Sequence, residues 1–300
     1  MNELRFDGRA VVVTGAGRGI GRSHALLLAS RGAQVLVADF GTAIDGSGSS
    51  GDPATAVAQE IEANGGEAVA CCASVADEDG AASIVDTAIE HFGRLDVVVN
   101  NAGISDKHPF AELSYEQFRR MIDVHFLGTL YVTKAAWPHL LEAPQGRVVN
   151  TTSEGVLGAQ AELTSYGSAK GAVWALTRNL AAEAAASDIR VNAVAPRART
   201  RMSEDGQRIT DGNARERGVE SMLYRMDPDL VAPAAAYLAH ESCTLNGEVL
   251  IAGGGDVMRL APIVTRGISR GKTLSVEDVA ESIDAILDST DARVAPVGSW

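Results

Sequence analysis

Ala10-Val-Val-Val-Thr-Gly-Ala-Gly-Arg-Gly-Ile-Gly21 joins a short β-branched run to the beginning of a helix-like segment. Its glycines permit a tight turn, close approach of a pyrophosphate and close packing of the helix. The helix N-terminus then presents free N–H groups and the positive end of its dipole to phosphate. Any strand-to-helix turn can use glycine, but here strand, glycines and helix occur together. The segment therefore predicts a nucleotide-binding turn formed by Gly15, Arg18, Gly19, Ile20 and Gly21.

Short β-branched runs alternate with longer Ala- and Leu-rich segments along the rest of the chain. The predicted strands are residues 10–14, 34–38, 68–72, 95–99, 147–151, 189–195 and 248–251. A helix-length or loop-plus-helix segment follows each of the first six, which gives right-handed βαβ units. Val11-Val-Val13 and Val97-Val-Val99 are apolar throughout, as is typical of central strands buried on both faces. The fold is therefore predicted to be α/β: one Rossmann-type domain with a doubly wound parallel sheet of about seven strands and helices on both faces.

A C-terminal helical extension is predicted to follow this domain, so that residues 1–260 form the catalytic domain and residues 261–300 the extension. Ser275 and Asp278 have the spacing of a capping box at the start of its helix. The apolar face of this helix is predicted to pack on the body or on a neighbouring subunit, and consists of Val276, Val279, Ala280, Ile283, Ile286 and Leu287. Residues 41–53, rich in Gly and Ser, are predicted to form a flexible surface loop.

Composition and charge exclude several classes of protein. The 300 residues carry 26 Lys and Arg against 39 Asp and Glu, and the net charge of −13 repels nucleic acid. Three cysteines are too few for a disulfide framework and suit a reducing compartment. The acidic N-terminus does not resemble a signal peptide, and no segment is apolar over a bilayer-spanning length. We therefore expect no membrane or nucleic-acid partner and a cytoplasmic location.

Six histidines are spread along the chain, and none lies four residues from another or beside a cysteine pair. This spacing predicts no metal site.

Asp39 follows the second strand at about the distance where a dinucleotide site supplies an acid for the adenosine ribose diol. A carboxylate there favours NAD(H) and repels the 2′-phosphate of NADP(H). Asp39 and its neighbour Phe40 are therefore predicted to contact NAD(H). Two alternatives stay open. Asp39 can hydrogen-bond only its own turn, and Arg18 can attract a phosphate, which would allow the protein to use NADP(H) to some extent.

Tyr166 and Lys170 lie four residues apart at the beginning of a helix-like segment and thus share one face. A phenol with an ordinary pKa of about 10 is a poor base near neutral pH, and a neighbouring ammonium favours the phenolate. Ser153 follows the fifth strand at the same carboxyl edge of the sheet, where it can hydrogen-bond a reacting oxygen. Alone, each of these residues also suits an ordinary helix face or turn.

Together these motifs resemble the short-chain dehydrogenases/reductases. The resemblance rests on the segment Thr14–Gly21, on Asn100-Asn-Ala-Gly103, on Ser153 thirteen positions before the tyrosine, and on Tyr166 with Lys170. It implies that Ser153 orients the substrate oxygen, that Tyr166 takes or gives its proton, and that Lys170 binds the nicotinamide ribose and lowers the tyrosine pKa. The further NAD contacts it implies are Asn101, Ala102 and Gly103 centrally, Ser74 and Val75 near the adenine, and Thr200 at the carboxamide.

Residues 4–9, 123–128, 240–247 and 274–279 are similar to one branch of that family, the (3R)-hydroxyacyl-CoA dehydrogenases of peroxisomal multifunctional enzymes. Because the sequence stops at Trp300, we expect none of those enzymes' other portions. It has no Ser-Lys-Leu ending, so we expect no peroxisomal targeting by that signal.

Three residues depart from the usual family pattern: His125, Ala73 and Arg197. His125 replaces an asparagine that completes a catalytic tetrad; it is predicted to act in catalysis by supporting a proton relay, with a purely structural role as the alternative. Ala73 weakens one adenine contact. Arg197 replaces a glycine and is expected to reshape the substrate lid, within a basic segment at residues 197–217.

Three functions remain in competition. The first is an NAD(H)-dependent dehydrogenase of a 3-hydroxyacyl-CoA or steroid-like alcohol, in which the basic segment would meet the CoA phosphates. The second is a dehydrogenase of an unrelated small alcohol or ketone, and the third is a non-catalytic nucleotide-binding regulator. We expect an enzyme of the first or second kind, assembled as a homodimer or homotetramer.

Overall fold

The computed structural model describes residues 3–158, 161–201 and 226–298, and its centre is an eight-stranded sheet. The sheet strands are β1 Ala10–Thr14, β2 Gln34–Ala38, β3 Glu67–Cys71, β4 Val97–Asn100, β5 Arg147–Thr151, β6 Arg190–Pro196, β7 Val249–Gly253 and β8 Asp256–Leu260. Their order is β3-β2-β1-β4-β5-β6-β7-β8, and all pairs are parallel except β7 with β8. Since the order reverses between β1 and β4, a crevice opens beyond the carboxyl ends of these two strands.

Helices cover both faces of this sheet. In the described ranges they are α1 Gly19–Ser30, α2 Asp52–Ala63, α3 Glu78–Phe92, α4 Tyr115–Ile122, α5 Gly128–Glu142, α6 Thr164–Glu183, α7 Ala232–Ala239, α8 Val276–Glu281 and α9 Ile283–Leu287. A π-type turn over residues Asp123–Leu127 joins α4 to α5. No helix in these ranges has the length and apolarity needed to cross a bilayer.

Successive residues of the central strands pack on opposite faces, because side chains alternate along a strand. Val11 and Val13 belong to one buried cluster with Leu28 of α1, whereas Val12 belongs to a second cluster with Ile84 of α3. All residues of β1 are buried. The predicted doubly wound α/β fold is thereby confirmed.

The eighth strand was not among the predicted strands, and it is the one antiparallel member of the sheet. It returns along β7 through Gly254 and Gly255, whose φ angles are +63° and +89°. A two-residue hairpin turn of this kind needs positive φ at both positions, which glycine adopts without strain. The strand lies at the edge of the sheet, and its side chains Val257 and Met258 are exposed.

The segment predicted as a flexible loop over residues 41–53 has a defined path. Asp52 and Pro53 already belong to α2, where proline fits the first turn of a helix. The remainder crosses towards the segment after β4, where the Ile44 carbonyl accepts a hydrogen bond from the Ser105 amide at 2.9 Å.

Beyond residue 260 the chain forms a small two-stranded sheet, β9 Ile263–Val264 with β10 Arg293–Val294, and the two short helices α8 and α9. The capping box at Ser275 and Asp278 is present, but the helix is interrupted at Ser282. Several side chains of its predicted apolar face are exposed: Val276, Val279, Ile283 and Leu287. The contact with the body is made instead near the end of the chain, where Arg178 of α6 donates to the carbonyl of Ala295 at 2.7 Å.

His24 of α1 is fully buried, and neither ring nitrogen has a hydrogen-bond partner among the described residues. Burial lowers its pKa from 6.5 to about 4. Between these two values the unfolded chain binds a proton that the native protein does not, so native stability falls as the pH falls from above 6.5 towards 4.

We expect this histidine to cost the native state about 3 kcal/mol on acidification from pH 7.5 to pH 4. Denaturant unfolding of the wild type and of His24→Leu across that range measures the effect. The variant should lose less stability than the wild type on acidification. Equal pH dependence in the two proteins would contradict the assignment to His24.

Candidate functional site

A cavity of about 820 Å³ lies at the carboxyl ends of the parallel strands, next to the β1/β4 reversal. Every residue predicted to take part in catalysis or cofactor binding lines it. These residues are Gly15, Arg18, Gly19, Ile20, Gly21, Asp39, Phe40, Ser74, Val75, Asn101, Ala102, Gly103, His125, Ser153, Tyr166, Lys170 and Thr200. The fold thus brings together groups that are widely separated in the sequence, and their individual roles remain predictions.

The turn after β1 leaves no room for side chains at two of its glycines. A Cβ atom on Gly21 would overlap the carbonyl oxygen of Gly15. Gly15 has φ +63°, and a Cβ on it would lie 2.8 Å from the Cα of Ala102. These close approaches form a backbone cradle at the N-terminus of α1, as the binding of a pyrophosphate requires.

The motif after β4 holds this cradle in place. The side-chain amide of Asn101 donates to the carbonyls of Thr14 and Gly15 at 3.0 and 3.1 Å. The backbone amides of Asn101 and Ala102 donate in the same direction, to the Thr14 hydroxyl at 3.0 and 3.1 Å. The Asn101 amide is therefore committed to supporting the turn.

Asp39, at the end of β2, accepts two backbone hydrogen bonds. One comes from Gly17 of the glycine turn at 2.8 Å and the other from Gly41 of its own loop at 2.7 Å. A carboxylate has about four acceptor positions, so two remain for hydroxyl donors in the cavity. Asp39 can therefore hydrogen-bond its own turn and still accept hydrogen bonds from a diol.

Ser153, Tyr166 and Lys170 meet at the ends of β5 and α6. The Ser153 hydroxyl accepts from the Gly155 amide at 3.0 Å, and the Lys170 ammonium donates to the Thr151 carbonyl at 2.7 Å. The Lys170 nitrogen lies 5.8 Å from the centre of the Tyr166 ring. The three side chains therefore present a hydroxyl, a phenol and an ammonium to one end of the cavity.

Burial dominates the proton affinities at this end. It raises the pKa of Tyr166, while the hydrogen bond with Ser153 lowers it. Burial also lowers the pKa of Lys170 to about 7. The family resemblance implied a tyrosine pKa lowered by Lys170, whereas the chain's own groups raise it and leave this phenol protonated near neutral pH.

His125 lies in the π-type turn and is fully buried beside the tyrosine. Its ring meets that of Tyr166 edge-on, with the centroids 5.3 Å apart. Its Nε2 lies 2.9 Å from the carbonyl oxygen of Ile104, and its Nδ1 has no partner among the described residues. A Cβ on Gly103 would lie 2.5 Å from the imidazole, so the motif after β4 must carry glycine there.

Burial and the charge of Lys170 hold the pKa of His125 well below its usual value. The imidazole is therefore neutral near pH 7. The hydrogen bond between the neutral imidazole and Ile104 is consistent with a purely structural role for His125. The Nδ1 atom, which has no partner among the described residues, is consistent with a role in a proton relay.

Two cavity-lining features were missed by the sequence predictions. Ile44 and its neighbours in the 41–51 segment contribute to the wall, which the Gly- and Ser-rich composition did not reveal. Lys107, in the segment after β4, also lines the cavity, and it makes no ion pair or hydrogen bond with any described residue. The signal available in the sequence was its position, four residues after the Asn100–Gly103 motif.

The predicted basic segment at residues 197–217 falls mostly outside the described residues, since only 197–201 of it are described. Arg197 forms a bidentate ion pair with Glu154, both bonds being 2.6 Å long. Across the described ranges no group of three or more His, Cys, Asp or Glu could hold a metal ion.

Comparison with known proteins identifies the family. The model of the family described as short chain dehydrogenase matches residues 9–208. The Mycobacterium tuberculosis protein Rv0148, whose name describes it as a short-chain type dehydrogenase/reductase, is 42% identical over 96% of this chain and 96% of its own length. Mouse peroxisomal multifunctional enzyme type 2 is 37% identical over 96% of this chain, but the match covers only 38% of that enzyme.

Solved structures agree with this assignment. A short chain dehydrogenase from Mycobacterium avium superposes with a TM-score of 0.79 and 37% identity, over 98% of this chain and 99% of that one. A 7α-hydroxysteroid dehydrogenase, solved with NADH and 7-oxo glycochenodeoxycholic acid, gives a TM-score of 0.73 and 29% identity, over 85% and 98% of the two chains.

Dehydrogenases of this family use NAD(H), which confirms the cofactor prediction at the level of the family. The predicted resemblance is confirmed as well. The chain belongs to the short-chain dehydrogenase family and is an oxidoreductase that acts on CH–OH groups.

Proposed function

We propose that this protein is an NAD(H)-dependent dehydrogenase that interconverts a secondary alcohol and a ketone, with Tyr166 as the general acid/base. The observation that carries the proposal is the meeting of Ser153, Tyr166 and Lys170 at one end of a cavity whose other end is a glycine cradle. A non-catalytic regulator would need the cradle but not this hydroxyl, phenol and ammonium.

The residues present fit a dinucleotide. The pyrophosphate would lie against the cradle at Gly15 and Gly21, where any Cβ would collide with backbone. The free acceptor positions of Asp39 suit the two hydroxyls of the adenosine ribose. When bound, the nicotinamide accepts or supplies the hydride.

Each side chain at the reacting end then has a distinct task. Tyr166 exchanges a proton between its phenol oxygen and the substrate oxygen, and Ser153 holds that oxygen by a hydrogen bond. Because burial raises the pKa of Tyr166, taking a proton from an alcohol requires added positive charge nearby. Lys170 contributes such charge in its protonated form, and with a pKa of about 7 it gains or loses its proton near neutral pH.

We propose a 3-hydroxyacyl-CoA or a steroid-like alcohol as substrate. Sequence similarity to peroxisomal multifunctional enzyme type 2 and structural similarity to a 7α-hydroxysteroid dehydrogenase support this choice. The ammonium of Lys107, which has no ion-pair partner among the described residues, lines the cavity wall and also suits a substrate with a negatively charged group. An unrelated small alcohol is the second candidate, since cis-4-hydroxycyclohexanecarboxylate dehydrogenase of Sinomonas cyclohexanicum is 38% identical over 83% of this chain.

The purified protein, given NAD⁺ and a panel of (3R)-hydroxyacyl-CoAs, hydroxysteroids and short alcohols, tests the proposal through NADH absorbance. Turnover of an acyl-CoA or a steroid supports the first candidate. Turnover of short alcohols alone would support the second candidate, and no NADH formation with any alcohol of the panel would overturn the dehydrogenase proposal.

The carboxylate of Asp39 should set the preference for NAD⁺ over NADP⁺. Asp39→Asn keeps the size of the side chain and removes its charge, so the 2′-phosphate of NADP⁺ is no longer repelled. We expect the ratio of kcat/KM for NAD⁺ to that for NADP⁺ to fall at least about tenfold, which corresponds to about 1.4 kcal/mol.

Asp45→Asn is the matched control for this prediction. Asp45 lies in the same loop and accepts from the Ser47 amide, but it does not line the cavity. Its variant should keep the wild-type ratio. A preference that Asp39→Asn leaves unchanged would assign Asp39 a role in the turn alone.

We further propose a cytoplasmic enzyme that assembles as a homodimer or homotetramer. The exposed apolar side chains Val276, Val279, Ile283 and Leu287 support an assembled state, because burying them against a neighbouring subunit is favourable. Sedimentation of the purified protein measures the subunit number, and a monomer at micromolar concentration would contradict the assembly.

A further inference from the structure

The ion pair between Glu154 and Arg197 connects two loops at the carboxyl edge of the sheet. Arg197 Nε and Nη2 each donate to one carboxylate oxygen of Glu154, at 2.6 Å. Both side chains are about one-third exposed. Pairs with this exposure add little to stability, so their geometry is more informative than their energy.

The backbone of Arg197 packs closely against β7. Its amide donates to the carbonyl of Ala252 at 2.8 Å. A Cβ on Gly253 would overlap the Arg197 carbonyl oxygen, so the two backbones pass each other in close contact. The acidic group of Asp256 adds a second favourable charge near the guanidinium. Arg197 therefore offers a fixed anchor to a partner on the neighbouring loop.

Glu154 lies at the start of a short 3-10 turn, Glu154–Leu157, that begins directly after Ser153. The Ser153 hydroxyl accepts from the Gly155 amide, so its direction depends on how this turn is oriented. The turn also packs on the tyrosine: a Cβ on Gly155 would lie 3.4 Å from two carbons of the Tyr166 ring. Movement of Glu154 would thus be transmitted to both catalytic side chains.

We propose that Arg197 is a positioning residue that, through Glu154, holds the Ser153–Gly155 turn in the orientation in which Ser153 bonds Tyr166 and the substrate oxygen. The inference rests on the proposed dehydrogenase function. The titratable groups around this arrangement are Lys170 from α6 and the neutral His125 from the π-type turn, which face Tyr166, and Asp256 from β8, which faces Arg197.

Three variants test the pair as a unit: Arg197→Ala, Glu154→Ala and the double variant. We expect each to lower kcat about tenfold, because a small displacement of a positioned group is costly. The double variant should lose no more than either single variant. The Kd for NADH should stay within about twofold, because neither residue lines the cavity.

The pH profile separates positioning from a merely structural effect. Since the bond with Ser153 lowers the pKa of Tyr166, loosening that bond should move the acidic limb of kcat/KM for alcohol oxidation to higher pH in all three variants. The conservative variant Arg197→Lys keeps a cation beside both Glu154 and Asp256, so it should retain part of the activity that Arg197→Ala loses. This comparison keeps the test informative if Arg197→Ala folds poorly.

Arg259→Ala is the matched control. Arg259 of β8 forms a similarly short bidentate pair with Glu248, the residue just before β7, at 2.6 and 2.7 Å. Its variant should keep the wild-type kcat and pH profile. Wild-type kinetics in Arg197→Ala, or losses that add in the double variant, would overturn the inference alone, whereas a wild type without dehydrogenase activity would overturn the proposed function and this inference with it.

Discussion

Tyr166→Phe is expected to lower kcat by roughly a thousandfold, because general acid/base transfer contributes about 10²- to 10⁴-fold and this substitution removes only the phenol oxygen. The ring that packs edge-on against His125 and lies over Gly155 is kept. The binding of NADH should therefore be nearly unchanged, since the cradle and Asp39 lie at the other end of the cavity. Steady-state kinetics with the identified substrate and fluorescence titration of NADH measure the two effects.

Tyr131→Phe provides the control for this prediction. Tyr131 lies on α5, packs against a buried hydrophobic cluster and does not line the cavity. Its variant should keep wild-type turnover. If Tyr166→Phe retained turnover within a few-fold of the wild type, another group would be the acid/base.

Gly21→Ala is the second substitution with a large expected effect. The added methyl group would overlap the Gly15 carbonyl and the Asn101 amide group, so the glycine turn must shift. Because a displacement of about 1 Å in a positioning element can cost about a hundredfold, we expect the Kd for NADH to rise by roughly that factor. Isothermal titration calorimetry measures it directly.

Gly171→Ala is the same change in another helix. Gly171 lies in α6, and a Cβ there meets no atom within 4 Å. Alanine favours a helix interior over glycine by about 1 kcal/mol, so this variant should bind NADH normally and unfold at a slightly higher temperature. Equal NADH affinity of Gly21→Ala and the wild type would show that the cradle does not hold the dinucleotide.

The sequence was sufficient for the features that depend on local pattern. Buried β-branched runs such as Val11–Val13 set the parallel sheet, and the glycine spacing located the cradle next to the β1/β4 reversal. Once the strands were ordered, their carboxyl ends had to bring Ser153, Tyr166 and Lys170 to one edge. For these residues the chain position determined the spatial position.

Other features depend on contacts that no local pattern records. The 41–51 segment has the composition of a flexible loop. In the structure, however, its Ile44 carbonyl accepts a hydrogen bond from the Ser105 amide, and its residues form part of the cavity wall. The pairing of Arg197 with Glu154 joins residues 43 positions apart. The low proton affinity of Lys170 follows from its burial, which only the folded structure reveals.

The sequence does contain a signal for the eighth strand, although the strand pattern alone did not predict it. Gly254-Gly255 between two short strands is a typical two-residue hairpin turn, and it predicts the antiparallel edge strand that follows. In the extension, the apolar spacing predicted one helix, whereas the structure has two short helices, α8 and α9, separated at Ser282. Spacing alone also does not say whether the apolar face is covered within one chain.

The hydrogen bonds that Asn101 donates to Thr14 make the turn after β1 and the turn after β4 a single mechanical unit. The turn after β4 supplies the donors and the turn after β1 the acceptors, although 87 positions separate the two residues. A chimaeric protein that takes one of these two turns from a relative should therefore take both of them from that relative, so that the hydrogen bonds between the turns are kept. Domain shuffling that cut the chain between them would divide the cradle, so the natural unit of exchange is at least the first four strands.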